Sequence, residues 1–315
     1  MHLLILGCSS IVRRRVLPAA RTARAIERVS VASRRPRAAD IEINGGWFDD
    51  YDAAIDTSGA DAVYVSGVNT EHERWVFRAL ERGLHVIVDK PALLELDAAE
   101  RASERAHRAK RVIAEATVFG FHPIAQTMRT LAAEDPTPSW RATMTFCMPP
   151  LDAQNFRYRA DCGGGCLYDL GPYVVAANRL LFGAPPATVE CRVLSAAGTP
   201  PVDTSFSVLL THGDGSALAG HCGFVTAYRN HLSVLTNARF IEADRVFSTP
   251  PSMPCAIRIR TDQDDRHVMI AAADSFALFL DAFADAAASG EGEAFASALL
   301  EDARLLARLR KAAST

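Results

Sequence analysis

The first 116 residues alternate short apolar runs with stretches of helical periodicity, and this alternation restricts the fold more than any other feature. Runs such as Leu3–Leu6, Val29–Ala32 and His85–Val88 are four residues long and largely apolar. Continuous apolar runs of this length are typical of strands buried on both faces of a parallel sheet. Helices between successive strands provide the crossovers that parallel pairing requires. The alternation therefore predicts a doubly wound parallel sheet of the α/β class.

The remaining elements of this half follow the same rule. Two more strand regions are predicted, at Ala53–Ile55 with Ala62–Ser66 and at Val112–Ala114. The helices between the strands are predicted over Ile11–Ala25, Glu71–Glu81 and Ala98–Ala109. Gly83 lies just after the second of these helices and suits its C-terminal cap.

The second half of the chain changes character, and we place the boundary near Ala116–Phe121. Its strands follow one another through turns such as His212–Gly215, which predicts a large antiparallel or mixed sheet. These strands are predicted at Thr143–Cys147, Ala187–Leu194, Ser205–Thr211, Leu218–Phe224 and Leu232–Thr236. Two helices, Ser275–Ala288 and Glu293–Ala313, end the chain. The expected domains are residues 1–118 and 119–315.

Composition excludes several classes of protein. The 315 residues are 49% hydrophobic and 23% charged, which is typical of a globular chain rather than a disordered one. A net charge of −3 argues against a general nucleic-acid binder. No run of about 18 apolar residues occurs, so we expect neither a membrane span nor membrane partners. The seven cysteines lack a CxxC pair, which predicts reduced thiols in a cytoplasmic protein and no metal site.

The turn after the first strand is a candidate phosphate site. Gly7 is followed by small residues at the start of a helix, where backbone N–H groups and the helix dipole favour an anion. Only one glycine of a three-glycine fingerprint remains, so a plain strand–turn–helix corner stays open as an alternative. The second strand ends in Ser33, Arg34 and Arg35, where an NAD site usually has an acidic residue. Arginines there favour the 2′-phosphate of NADP(H), although NAD(H) and a solvated arginine loop remain possible.

Two further segments carry chemistry. Lys90 follows a buried strand, at the edge where open α/β sheets bind ligands, and can donate to a substrate hydroxyl or carbonyl. Asp169 and Tyr173 are four residues apart after three glycines, which places them on one face if the segment is helical. A phenol near a lysine is a suitable acid for a carbonyl that receives hydride. The alternatives are a salt-bridged surface lysine and a tyrosine packed at an interface.

Together these residues resemble the Gfo/Idh/MocA oxidoreductases. The family's nucleotide turn, Thr-Pro-Asn-x-x-His turn, Glu-Lys-Pro segment and GGG…D…G…H/Y segment have counterparts here, in order, across most of the chain. The counterparts are the stretches 7–11, 63–72, 89–91 and 163–173. Asp89 replaces the family's glutamate and Val68 its proline. Tyr173 stands where many members have histidine, as in the glucose–fructose oxidoreductase and nucleotide-sugar 3-ketoreductase branches.

The resemblance implies an NAD(P)-binding Rossmann domain followed by an α/β domain for substrate binding and oligomerisation, in a homodimer or homotetramer. It implies Lys90, Tyr173 and Asp169 as catalytic residues. It implies cofactor binding by Gly7, Ser9, Ser10, Ile11, Ser33, Arg34, Arg35, Ser66, Asn69, His72, Asp89, Lys90 and Pro91. It implies substrate binding by Glu115, His122, Arg157, Asp169 and Tyr173.

The expected function is reduction of a ketosugar, free or nucleotide-linked, by NADP(H), with Tyr173 and Lys90 as the acid pair. Two alternatives remain at this point. One is a regulatory protein that senses NADP(H) without redox chemistry. The other is an enzyme that keeps its cofactor bound and oxidises its substrate transiently during epimerisation or elimination.

Overall fold

The protein is described here by a computed structural model covering residues 1–135 and 139–314. It forms two compact units. The first contains Met1–Ala116 and Phe276–Ala303, and the second contains Thr117–Ser275 and the chain from Arg304 onward. The first unit therefore includes a C-terminal segment that the sequence analysis assigned to 119–315.

The described residues form strands and helices that we number in chain order. The strands are β1 (His2–Leu6), β2 (Arg28–Ala32), β3 (Trp47–Phe48), β4 (Ala62–Val65), β5 (His85–Val88), β6 (Ile113–Glu115), β7 (Arg141–Cys147), β8 (Thr188–Ala197), β9 (Val202–Thr211), β10 (Ala217–Gly223), β11 (Arg229–Leu235), β12 (Phe240–Asp244), β13 (Cys255–Arg260) and β14 (Asp265–Ile270). The helices are α1 (Leu17–Thr22), α2 (Tyr51–Thr57), α3 (His72–Glu81), α4 (Leu96–Ala109), α5 (Pro123–Ala133), α6 (Cys166–Phe182), α7 (Ser275–Ser289) and α8 (Glu293–Ala313). A π-helical segment, Val12–Val16, leads directly into α1.

The first unit is built on a six-stranded sheet in the order β3-β2-β1-β4-β5-β6, with every pair parallel. This confirms the predicted doubly wound sheet. Side chains such as Leu4, Val63 and Val86 are fully buried, as expected for strands covered on both faces. The carboxyl ends of β1, β2, β4 and β5 lie at one edge, so the segments that follow these strands are brought together there.

The prediction of a strand at Ala53–Ile55 is wrong, because these residues lie in α2. The Asp50 side chain accepts a hydrogen bond of 2.7 Å from the N–H of Ala53 and caps the helix. An N-cap followed by alanines favours helix over strand. The sheet instead takes the two-residue strand β3, which the sequence analysis missed.

The second unit contains an eight-stranded mixed sheet in the order β14-β13-β12-β11-β7-β10-β9-β8. Strands β7 and β10 pair in parallel, and all other neighbours are antiparallel. This confirms the predicted mixed sheet. Helices α5 and α6 share its core, in which Ile124, Val174 and Phe206 are fully buried.

Strands β12, β13 and β14 were not predicted, although β12 and β13 alternate with period two. Ile241, Ile257 and Ile259 point into the core and are at most 2% exposed. The residues between them include Glu242 and Arg258, which face each other across the β12–β13 pair and form an ion pair of 3.6 Å. Cross-strand charge pairing accounts for the polar half of the pattern.

Each helix within residues 1–135 and 139–314 is too short or too polar to span a lipid bilayer. All seven cysteines are free thiols, and all except Cys8 are buried.

The turn after β1 passes so close to Ser66, the residue after β4, that residue 7 must be a glycine. The N–H of Gly7 donates to the carbonyl of Ala32 at 2.9 Å, and its φ angle is +93°. A Cβ atom on Gly7 would lie 1.7 Å from the carbonyl oxygen of Ser66. Both the backbone conformation and the available space therefore exclude a side chain.

We expect Gly7→Ala to lower the free energy of unfolding by at least about 3 kcal/mol, because backbone must move as well as adopt a strained φ. Gly59→Ala is the matched control, since Gly59 also has a positive φ but has open space around its Cβ position. The control should cost about 1–2 kcal/mol. Urea unfolding measures both changes, and equal losses would show that the Ser66 contact is unimportant.

Candidate functional site

The turn after β1 has the geometry of a phosphate site. The chain becomes helical at Ser10, so the N–H groups of Ser10 and Ile11 lie in a first turn, where no carbonyl four residues earlier in the helix is available to them. The Ser9 hydroxyl lies 2.9 Å from that of Ser66 and accepts from the N–H of Val12 at 3.3 Å. The three residues after Gly7 are Cys8, Ser9 and Ser10, whose small side chains leave the backbone of the turn accessible to a ligand. These features fit the pyrophosphate of a dinucleotide.

Arg34 follows β2 at the same edge of the sheet. Its guanidinium lies 5.0 Å from the ring centroid of Tyr51, and its Nη1 donates to Glu71 Oε1 at 2.8 Å. The hydrogen bond to Glu71 raises the pKa of Arg34 above its ordinary value. Ser33 is buried, and its hydroxyl accepts from the N–H of Arg35 at 3.1 Å. The predicted 2′-phosphate residues thus lie together, with Tyr51 and Glu71 as neighbours that the sequence analysis missed.

Lys90 leaves the carboxyl end of β5 between two anchored neighbours. On one side, the Asp89 carboxylate accepts hydrogen bonds from the Tyr64 hydroxyl at 2.5 Å and the Ser66 hydroxyl at 2.6 Å. Both donors come from β4 or the residue after it. Each oxygen of the Asp89 carboxylate therefore has its own donor, which fixes its position. The side chain of Asp89 is one methylene shorter than the glutamate that the family has at this position.

On the other side, one peptide unit is held at both of its polar atoms. The carbonyl of Pro91 lies 3.0 Å from His72 Nδ1, and the N–H of Ala92 donates to Glu115 Oε2 at 2.7 Å. A carbonyl can only accept, so Nδ1 carries the proton. Burial lowers the pKa of His72, which keeps the ring neutral. The residues on both sides of Lys90 are therefore held by side chains from neighbouring segments.

Three residues of the expected site have buried or structural positions in this unit. His72, an expected cofactor residue, has no exposed surface, and its Nδ1 holds the carbonyl of Pro91. Glu115 accepts from Ala92 and supports the same peptide, where the sequence analysis expected a substrate contact. Asn69 is buried at the start of the 3₁₀ turn Asn69–Glu71.

In the second unit, the three glycines allow the chain to pass close to another segment. A Cβ atom on Gly164 would lie 2.6–2.8 Å from the carbonyl oxygens of Phe156, Arg157 and Arg159. The N–H of Gly164 donates to the carbonyl of Arg159 at 2.9 Å. This close approach brings Arg157 to the start of α6, where its Nε lies 2.8 Å from Asp169 Oδ2. The pair is mostly buried, so the predicted site residues Arg157 and Asp169 are held together.

The start of α6 is capped by a residue from strand β9. Gly165 precedes the helix and has no side chain to cap it, and Asp203 Oδ2 on β9 accepts from the N–H of Leu167 at 2.6 Å. Burial raises the pKa of Asp203. The cap fixes the first turn of the helix that carries Asp169 and Tyr173.

Tyr173 lies one turn beyond Asp169, among three buried aromatic rings. The ring centroids of Phe146, Phe119 and Phe247 lie 4.9, 6.0 and 6.0 Å from its own. Asn230 holds Phe247 in place, because its Oδ1 accepts from the Phe247 N–H at 3.1 Å. The tyrosine ring itself is partly exposed. These contacts fix the position of a phenol at a largely apolar surface.

His122, an expected substrate residue, caps a helix. Its ring has no exposed surface, and Nδ1 accepts from the N–H of Ile124 at 3.1 Å. It is the N-cap of α5. The sequence signal for this role is the proline that follows it at the first helical position.

The buried cap at Asp203 gives a pH-dependent prediction. A carboxyl whose pKa is raised on folding contributes its stability below its unfolded-state pKa, and this contribution is lost as the pH rises through the folded-state pKa. Asp203→Asn keeps an acceptor for the Leu167 N–H and cannot ionise. We therefore expect it to gain stability relative to wild type as the pH rises from about 3.5 to about 7.

Urea unfolding at a series of pH values measures this difference. Asp262→Asn, at an exposed loop position, is the control and should show little change with pH. Asp203→Ala removes the cap and should cost about 1–2 kcal/mol near pH 3.5, and less as the pH rises and the wild-type carboxyl ionises. A difference between Asp203→Asn and wild type that stays constant with pH would contradict the account of the buried carboxyl.

Comparison with known proteins supports the reading of both units. The family model described as an oxidoreductase family with an NAD-binding Rossmann fold matches residues 1–117. The model of the GFO/IDH/MocA C-terminal domain matches residues 139–241. Together they match well over half of the chain.

Individual relatives cover nearly the whole length. The chain is 31% identical to a dTDP-3,4-didehydro-2,6-dideoxy-alpha-D-glucose 3-reductase of Actinomadura kijaniata, with 91% of this chain and 87% of that protein covered. It is also 31% identical to the enzyme of the same name from Streptomyces violaceoruber, with 98% and 94% covered. A D-xylose 1-dehydrogenase (NADP(+)) of Haloferax volcanii is 28% identical, with 91% and 89% covered.

Among solved structures, a mutant of a 3-ketoreductase from Actinomadura kijaniata in complex with TDP-benzene and NADP superimposes with a TM-score of 0.93. It is 28% identical to this chain, and the match covers 99% of this chain and 98% of that one. The chain therefore belongs to the Gfo/Idh/MocA family and is an NAD(P)-dependent oxidoreductase that acts on CH–OH or ketone groups.

Proposed function

We propose that this protein reduces the 3-keto group of a nucleotide-linked deoxysugar with NADPH. The observation that carries the proposal is the aromatic enclosure of Tyr173 on α6, one turn from the Arg157–Asp169 pair. It provides a phenol and a carboxylate on one helix, as reduction and hydroxyl recognition require. The relatives named as dTDP-sugar 3-reductases and the solved complex with TDP-benzene and NADP support this substrate class.

The first unit supplies the cofactor residues. Gly7, Ser9, Ser10 and Ile11 would hold the pyrophosphate through backbone N–H groups. Ser33, Arg34 and Arg35 would hold the 2′-phosphate, because guanidinium groups bind phosphate oxygens in a fork. Ser66, Asn69, Asp89 and Pro91 border the same edge of the sheet. When bound, NADPH supplies the hydride that reduces the carbonyl carbon.

Lys90 orients the carbonyl. Its backbone is held through Asp89 on one side and the Pro91–Ala92 peptide on the other. A lysine ammonium can donate a hydrogen bond to the carbonyl oxygen and stabilise the negative charge that develops on it. Fixing the backbone reduces the number of positions that this flexible side chain can adopt.

Tyr173 supplies the proton. The carbonyl oxygen gains negative charge as its carbon is reduced, and the phenol O–H donates to that oxygen. The surrounding phenylalanine rings keep water away from the ring face. Asp169 accepts a hydrogen bond from a sugar hydroxyl, and Arg157 holds the carboxylate in position.

We expect Tyr173→Phe to lower the turnover number about 10²- to 10⁴-fold while the Kd of NADPH stays within about twofold, because the lost O–H acts in the proton transfer. The assay follows NADPH absorbance with a dTDP-linked 3-keto-6-deoxysugar. The control is Tyr168→Phe on the same helix, whose ring lies against the Arg310 guanidinium and which should retain activity. Near-normal turnover in Tyr173→Phe would remove Tyr173 from the role of acid.

A further inference from the structure

An ion pair lies at the edge of the sheet where the 2′-phosphate is expected. Arg34 follows β2 and Glu71 lies in the turn after β4, and these two strands flank β1 on either side. The hydrogen bond of 2.8 Å between the two side chains therefore reaches across the carboxyl end of β1. Tyr51 lies beneath the guanidinium, and its hydroxyl would be 3.6 Å from a Cβ atom on Gly7.

The pair presents opposite charges to a ligand at this position. The Arg34 side chain is 57% exposed and the Glu71 side chain 35% exposed, so both are accessible from solvent. Glu71 uses one oxygen, Oε1, on Arg34, while Oε2 would be 3.6 Å from a Cβ atom on Gly67. The guanidinium has five N–H groups and donates to Glu71 through Nη1, so it retains donors for a second acceptor.

The two forms of the cofactor interact differently with such a pair. A 2′-phosphate carries about two negative charges near pH 7 and is attracted by Arg34 but repelled by Glu71. A free ribose 2′-hydroxyl is neutral, and a carboxylate can accept a hydrogen bond from it, as acidic residues do at the end of the second strand in NAD sites. The same carboxylate therefore weakens the binding of NADP(H) and strengthens the binding of NAD(H).

We propose that Glu71 sets how strongly this enzyme distinguishes NADP(H) from NAD(H). Its carboxylate opposes the 2′-phosphate on Arg34 and accepts from the unphosphorylated ribose, so that the site admits both cofactors while favouring NADP(H). The proposal rests on the proposed binding of the 2′-phosphate by Arg34. Glu71 lies after β4, whereas the acidic residues that select NAD usually follow the second strand.

The test is Glu71→Gln, which keeps a hydrogen-bond acceptor for Arg34 and removes the charge. Binding of NADPH and of NADH is titrated separately by quenching of tryptophan fluorescence, since Trp75 packs edge-on against Tyr51 with centroids 5.0 Å apart. Adenosine 2′,5′-bisphosphate and AMP, which lack the nicotinamide, are titrated as probes of this half of the site. No substrate is needed.

We expect the Kd of NADPH and of the bisphosphate to fall about threefold to tenfold in Glu71→Gln, while the Kd of NADH and of AMP stays equal or rises. The gain should shrink as ionic strength rises from about 0.05 to about 0.5 M, because the effect is electrostatic. The matched control is Glu73→Gln. Glu73 lies two residues from Glu71 and is paired with Arg101, so this variant removes the same charge without touching Arg34. It should leave the ratio of NADPH to NADH affinity unchanged.

Three outcomes would overturn the proposal. An unchanged affinity ratio in Glu71→Gln would show that the carboxylate does not take part in discrimination. Weaker NADPH binding would show that Glu71 orients Arg34 rather than opposing the phosphate. If the wild-type protein binds NADPH no better than NADH and neither responds to Arg34→Gln, the proposed 2′-phosphate site itself fails, and the inference fails with it.

Discussion

The hydrogen bonds that hold residues 89–92 at the end of β5 are the constraint on which the candidate site residues of the first unit depend. Asp89 is tied to β4 through Tyr64 and Ser66, and the next peptide is tied through His72 and Glu115. Hydrogen bonds to a charged group contribute about 1.5–3 kcal/mol each, and a buried polar atom left unpaired costs a similar amount. Three neighbouring strand ends must therefore keep their relative positions, and a lysine between two such anchors is placed by the sheet itself.

The candidate site residues of the second unit are positioned by the same means with different residues. Close backbone packing at Gly164 places Arg157 beside Asp169, Asp203 caps the first turn of α6, and Asn230 holds Phe247 against Tyr173. Every group proposed to touch substrate is thus supported by a buried polar residue or by a glycine. Such support is what keeps a reacting group within the small tolerance that catalysis requires.

Sequence reasoning predicted the parallel sheet, the mixed sheet and the segments that carry Lys90 and Tyr173, because apolar runs, turn residues and helical spacing are local signals. It missed α2 because Ala53–Ile55 was taken as an apolar strand run, and the N-cap at Asp50 just before it was not recognised. Spacing along the chain cannot show which polar residue is buried, and so the helix cap at His122 was not predicted. Glu71 was missed because its importance comes from a contact with a residue 37 positions away.

We propose that the protein transfers a hydride from NADPH to a sugar carbonyl. Incubation with NADPH deuterated at C4 on either face in turn, with a dTDP-linked 3-keto-6-deoxysugar, followed by mass spectrometry of the product, tests this transfer directly. We expect one deuterium at the former carbonyl carbon for one of the two labelled cofactors. Turnover without deuterium in the product, or bound NADPH that transfers no deuteride to any 3-ketosugar offered, would contradict it.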